Sequence, residues 1–418
     1  MRQRGLGEHL RRAWPWVLLI VAAGAAGVAW WQAWQTKPLP PDSVQAPPEN
    51  DWQAAVAECR RRVDANPEDV AARLELSALI YQAGDPFEAA AQMEAAVRIA
   101  PDEATVRRNA GNFYAHLGNM ALAVEHLAAA VRLSPDDLKT QVALANAHRA
   151  RTENAASEAA MAKAVELAGE SAEAHLLLGR TFHAWSDPDR AEEEFDRALE
   201  LAPNSPEANF ERGRLALEGH DLDGAQRWLQ IAVGLSPESG RYRYYLGLVF
   251  VRRPPEPENL ATAREHLERA LELLGPHAGV FYGLGTVCER EGDTERAAGY
   301  YEQSVAIAPD YSDALHSLVG AYRKLGRTEE SERAMAGFRE LKEIEQEITR
   351  AEARTAHEPD SAEAHYQLAL AYEKQGSLVS TLAHLQKAKE LDPEHPAAEK
   401  FSQLYGKVGA APHLVPQQ

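Results

Sequence analysis

Along residues 172–205, AEAHLLLGRTFHAWSDPDRAEEEFDRALELAPNS, apolar side chains return every three or four positions. Leu178 and Phe182 mark one stripe; Ala191, Phe195 and Ala198 mark a second. Each stripe gives a helix one apolar face, so the segment predicts two amphipathic helices joined by a polar turn. Pro203 stops the second helix, because proline offers no N–H to the ladder and turns the preceding residue away from helical geometry. The stop recurs at Pro67, Pro101 and Pro135, passes to Gly169, and returns at Pro203 and Pro237. After a small slip, Pro309, Pro359 and Pro393 carry the phase on. The spacing matches the 34-residue length of one helix-turn-helix unit and predicts a stack of helix pairs.

Small residues keep the same period. Gly111, Gly179, Gly213, Gly247 and Gly285 share one position, with Ser77, Ala145 and Ala369 standing in. Ala89, Ala123, Ala191, Ala225, Ala263 and Ala297 share another, with Ser157, Ser331 and Thr381 standing in. Both suit a close helix crossing, where a larger side chain overpacks. The Leu-Gly-aromatic and Ala-Phe-Ala-Pro pattern resembles the tetratricopeptide repeat (TPR). The resemblance implies an all-α fold, a right-handed TPR solenoid of about nine helix-turn-helix repeats. They start near Val70, Ala104, Leu138, Ala172, Pro206, Gly240, Ala278, Ser312 and Ala362. One helix, Asp51 to Ala65, precedes them and another, Pro396 to Val408, follows.

The phase breaks twice. Between the helices of the sixth repeat, Arg252, Arg253, Pro254, Pro255, Glu256 and Pro257 predict an extended loop. The eighth repeat has no closing proline, and Glu329 to Ala356 reads as one long charged helix. That helix is either a hinge between sub-stacks or an insertion on a tolerant surface.

Trp14 to Trp34 is a stretch of 21 residues without a charge, bracketed by Trp14 and Trp16 on one side and Trp30, Trp31 and Trp34 on the other. Its length spans a bilayer as a helix, with tryptophans at both interfaces. Arg2, Arg4, Arg11 and Arg12 precede it, which places the N-terminus in the cytoplasm and the repeats across the membrane. A cleavable signal peptide ending at Ala23-Gly24-Ala25 is the competing reading. Alanine, arginine and glutamate abundance suggests a bacterium, hence the inner membrane with the repeats in the periplasm. The expected organisation is a basic N-terminus over 1–13, a transmembrane helix over 14–34 and a Pro-rich linker over 35–50. The leading helix and eight repeats fill 51–356, the ninth repeat and its cap fill 357–410, and 411–418 is a disordered tail.

The formal net charge is −19, although the first twelve residues are basic. Such a surface repels nucleic-acid phosphates, so no nucleic-acid partner is expected. Cys59 and Cys288 lie far apart in the repeat order and read as buried apolar residues rather than a bridge. No HExxH, paired CxxC, phosphate loop or Gly-x-Ser-x-Gly occurs, so no catalytic residue, metal or cofactor is expected.

In TPR proteins the concave groove is lined by the second, fifth, ninth and twelfth positions of the first helix, which share one face. Transferred here, these positions give two zones. The first is basic and amide-rich: Arg108, Asn112, Lys139, Asn146, Arg149, Arg180, His183 and Arg214. It either binds an acidic segment or a C-terminus of a protein partner, which arginine forks suit, or pairs internally with neighbouring glutamates. The second is aromatic: Phe210, Tyr244, Tyr282, His316 and Tyr366. Its rings either grip an extended peptide or pack between adjacent repeats. The function expected is a non-enzymatic membrane-anchored scaffold in envelope protein assembly. A periplasmic chaperone near the translocation channel and an accessory subunit, as in cytochrome c maturation, are the alternatives.

Overall fold

The structure is a computed structural model that describes residues 49–83, 85–117, 119–151 and 153–410. The expected anchor over 14–34, the segment 1–13, nearly all of the linker and the tail over 411–418 lie outside the described residues. Among the described residues no helix is long and apolar enough to cross a membrane.

Every described element is a helix. Helix α1 (Glu49–Ala65) leads into nine pairs. The first three are α2 (Val70–Gln82) with α3 (Pro86–Ile99), α4 (Ala104–His116) with α5 (Met120–Leu133), and α6 (Leu138–Ala150) with α7 (Asn154–Ala168). Next come α8 (Ala172–Ala184) with α9 (Pro188–Leu201), α10 (Pro206–Glu218) with α11 (Leu222–Leu235), and α12 (Gly240–Arg252) with α13 (Pro257–Leu274). The last three are α14 (Ala278–Glu291) with α15 (Thr294–Ile307), α16 (Ser312–Lys324) with α17 (Thr328–His357), and α18 (Ala362–Gln375) with α19 (Leu378–Leu391). Helix α20 (Pro396–Ala410) follows. The described residues fall into two compact units: repeats six to eight make most of one, and repeats one to five with repeat nine make most of the other.

The repeat boundaries follow from the prolines. Ser134, Ser236, Ala308 and Asp392 each precede one and sit near φ −141, −135, −129 and −143°, outside helical space. Gly169 takes the proline's slot and turns the chain instead with φ +54°. Asp69, Asn119, Ser205, Asp221, Ser239 and Asp293 then cap the next helices through their side-chain oxygens.

Where the eighth residue of the first helix is glycine it faces a large side chain of the second helix, at the twenty-fourth position in repeats two, four, five and seven and at the twenty-eighth in repeat six. A Cβ on Gly179 would stand 2.5 Å from Phe195, on Gly213 2.7 Å from Leu229, and on Gly285 2.5 Å from Tyr301. In repeats one, three and eight a bulkier eighth residue (Ser77, Ala145, Val319) goes with methionine at the twenty-fourth position (Met93, Met161, Met335), whereas Ala369 of repeat nine goes with Leu385. A flexible unbranched side chain accommodates the extra atoms. Hydroxyls at the crossing donate to facing carbonyls, Ser77 Oγ to Ala89 O at 2.8 Å and Ser157 Oγ to Ala145 O at 2.9 Å.

Two details concern the phase breaks. The loop after α12 is extended at Arg253 and Glu256, and Pro257 opens α13. Arg290 of α14 donates to the Val251 and Arg253 carbonyls and so holds that loop. The eighth repeat's second helix is continuous from Thr328 to His357. Cys59 and Cys288 are both free and buried.

Candidate functional site

In four repeats, position five of the first helix contacts the residue just before the helix that follows the repeat. In repeat two this contact is ionic. Arg108 Nη1 lies 2.5 Å from Oδ2 of Asp137, the N-cap of α6. Thr140 Oγ1 donates to the same carboxylate at 2.6 Å. Burial pushes the Asp137 carboxyl up, but the hydrogen bonds from Thr140 and Arg108 outweigh it and hold the group below the usual range.

In repeats six, seven and nine the same contact is aromatic. The Tyr244 ring stands 5.5 Å from His277, Tyr282 stands 5.1 Å from Tyr311, and Tyr366 stands 5.1 Å from His395. His277 and Tyr311 are the N-cap residues of α14 and α16, and His395 precedes α20. A Cβ on Gly279 would meet the Tyr244 hydroxyl at 2.5 Å, so that glycine makes room for the ring. Burial raises the phenols of Tyr244, Tyr282 and Tyr311 and lowers the His277 imidazole, which keeps all four neutral at pH 7. His316 instead meets Phe338 of α17, at 5.4 Å. Phe210 is fully buried. Four of the five aromatic residues therefore contact rings of a following helix or its cap.

Position nine carries a second ionic contact. Arg180 Nε donates to Glu211 Oε1 at 2.9 Å, and Arg214 Nη2 donates to the other oxygen of that carboxylate at 2.7 Å. Arg214 also reaches Glu218, at 2.9 Å. Glu211 is 3% exposed and Arg214 9%, so this network is structural, whereas the Arg180 side chain is 43% exposed. The terminal nitrogens of Arg180 hold no partner among the described residues. Lys139 Nζ is likewise unpaired and exposed, and the Asn112 amide is unpaired and half-buried, among those residues. Asn146 and Arg149 are exposed and His183 is half-buried.

Sequence reasoning passed over position four, which holds a donor in seven repeats. Arg73, Arg107 and Arg243 donate through Nε to the carbonyls of Pro67, Pro101 and Pro237, at 2.8, 2.7 and 2.8 Å. Gln141 and Asn209 do the same to Pro135 and Pro203, both at 3.0 Å. His175 and His365 use Nε2 toward Gly169 and Pro359, also at 3.0 Å. Four of these side chains reach on to the second helix of their own repeat. The pairs are Arg73 with Gln92 (2.7 Å), Arg107 with His126 (3.3 Å), His175 with Glu194 (2.6 Å) and His365 with His384 (3.1 Å). The signal was a polar residue six places after each turn residue, obscured because four different residue types fill it.

Among the described residues no group of three or more His, Cys, Asp or Glu is placed to hold a metal ion. No curated protein matches the chain. Among solved structures, MamA is 25% identical over 40% of this chain and 95% of its own, with a TM-score of 0.35. PilW, a widely conserved type IV pilus biogenesis factor, is 16% identical over 52% of this chain and 98% of its own, with a TM-score of 0.43. PilF of Pseudomonas aeruginosa is 18% identical over 64% and 96%, with a TM-score of 0.38. The tetratricopeptide repeat family pattern matches residues 49–104, 81–137, 142–206, 210–254, 257–312 and 317–396. With those matches spread over most of its length and nine helix pairs in phase, the chain belongs to the tetratricopeptide repeat family.

Proposed function

We propose that this protein is a non-catalytic scaffold that binds an acidic segment or C-terminus of a protein partner along the first helices of repeats two to five. TPR proteins act as protein-interaction scaffolds, and the fold itself is silent on the partner. The observation that carries the reading is Arg180. Glu211 orients its guanidinium through Nε, and its two terminal nitrogens remain for a ligand. A fork held in that way suits a carboxylate's two oxygens. Lys139 and Asn112 add unpaired donors, and Asn146, Arg149 and His183 complete the polar set. Arg108 and Arg214 hold the framework; Tyr244, Tyr282 and Tyr366 pack against the element that follows their repeat, His316 against the second helix of its own repeat, and Phe210 is buried.

The proposal includes an inner-membrane anchor at residues 14–34, with the repeats on the periplasmic side and a role in envelope assembly. The uncharged run and the arginines before it support that topology. Protease added to spheroplasts should degrade the repeats and spare a tag on the N-terminus; the opposite pattern reverses the topology.

Affinity capture with the full chain tests the binding site. Arg180→Glu should reduce recovery of the principal partner at least tenfold, with helicity unchanged. Equal recovery by the variant and the wild type would refute the proposed site, and a broad set of exported chains kept by both would point to a chaperone.

A further inference from the structure

Repeats two and nine share one arrangement around position four. In each, a tyrosine of the first helix stacks on a histidine of the second: Tyr114 on His126 at 5.5 Å, Tyr372 on His384 at 5.7 Å. The group facing that histidine differs. His126 meets the Arg107 guanidinium, a permanent donor, whereas His384 meets a second imidazole, His365.

The geometry sets the proton count. His365 Nε2 faces the Pro359 carbonyl at 3.0 Å, which can only accept, so Nε2 carries the hydrogen. In the neutral ring Nδ1 is then an acceptor, and it lies 3.1 Å from His384 Nδ1. One hydrogen fits between the two nitrogens, donated by His384. A single added proton fits on the other ring nitrogen of His384 and leaves that bond in place, but when both rings are cationic two N–H groups and two positive charges face each other at hydrogen-bond distance.

We propose that the His365–His384 pair is a proton-sensitive clasp: it closes the ninth repeat while a single hydrogen lies between the two Nδ1 atoms and opens that repeat when both imidazoles are cationic. The surroundings do not cancel the effect. Asp360 in the preceding turn favours a proton on His365, and Lys387 of α19 opposes it. On the flanking elements, Glu363 is paired with His395 and Glu373 with Lys400. Tyr372 presents its ring face to His384.

Burial, and then His365, lower the His384 imidazole from 6.5 to about 4, and burial lowers His365 as well. A folded-state value below the unfolded one means that stability is full above 6.5 and is lost as pH falls toward 4. His384 alone then raises the opening equilibrium of the repeat about 30-fold between pH 8 and pH 5. The other repeats supply the controls. Gln92 faces Arg73 in repeat one and does not titrate, and Glu194 accepts from His175 in repeat four.

Hydrogen exchange in the full chain, corrected for intrinsic rates, tests the clasp. Amides of α18 and α19 should lose at least tenfold protection between pH 8 and pH 5, while those of α2 and α3 hold theirs. His384→Gln should abolish the difference, and His384→Glu should reverse its sign, because the introduced carboxylate pairs better with a charged His365. Equal protection of α18 and α19 at both pH values, or an unchanged acid loss in His384→Gln, would overturn the proposal.

Discussion

Repeat two and repeat seven make the same junction from opposite chemistry. In repeat two an arginine at position five pairs with an aspartate that caps the next helix; in repeat seven a tyrosine packs at a tilt against a tyrosine at the same cap. A junction is therefore specified by a pair of residues on adjacent repeats, and either kind of pair satisfies the geometry. The two differ in strength and in response to solvent. Ring packing removes apolar surface from water and is insensitive to salt. A partly exposed ion pair contributes little and is screened. The comparison also separates side chains committed to the fold from those left over, which is how Arg180 is distinguished from Arg214.

The largest expected effect tests the aromatic half. Tyr282 contacts both Tyr301 and Tyr311, so Tyr282→Ala should cost about 3 kcal/mol in denaturant unfolding of repeats six to eight. A loss no greater than that of Arg108→Ala would remove the contrast between the two junctions.

The next test concerns the crossing that both halves share. Gly213→Ala should cost about 1–3 kcal/mol by forcing Leu229 aside. Adding Leu229→Met should recover most of it, as the Ala145 and Met161 pair implies. No recovery would mean that the methionines of repeats one, three and eight are unrelated to their bulkier partners.

The smallest effect tests the ionic half. Arg108→Ala should cost about 1 kcal/mol at low salt and almost nothing in 1 M salt. Because the Asp137 carboxyl is held below its ordinary 3.8, its contribution is present above that pH and fades as pH falls below it. An Arg108→Ala cost unchanged by salt would show that packing of the arginine stem, rather than charge, holds repeat two to three.

The repeat architecture was legible because proline, glycine and alanine each act through backbone geometry or size, which the residue type states directly. Val70, Ala104 and Ala278 open helices where that pattern places the repeat starts. The roles of the groove residues were less legible. Tyr244 and Arg180 project from the expected helix face whether they grip a peptide or brace the next repeat, and only the neighbour decides. Glu211 was missed because a glutamate three residues before an arginine looks like an ordinary surface pair, whereas here it lies buried between two arginines. The position-four donors were missed because Arg, Gln, His and Asn share a hydrogen-bonding role and no consensus letter.

Photocrosslinking in the full chain compares the two kinds of residue most directly, with a benzophenone amino acid placed at position 139, 180 or 282. Positions 139 and 180 should crosslink to one partner protein and position 282 only within the chain. A partner crosslinked from 282, with none from 139 or 180, would contradict the division into committed and available side chains.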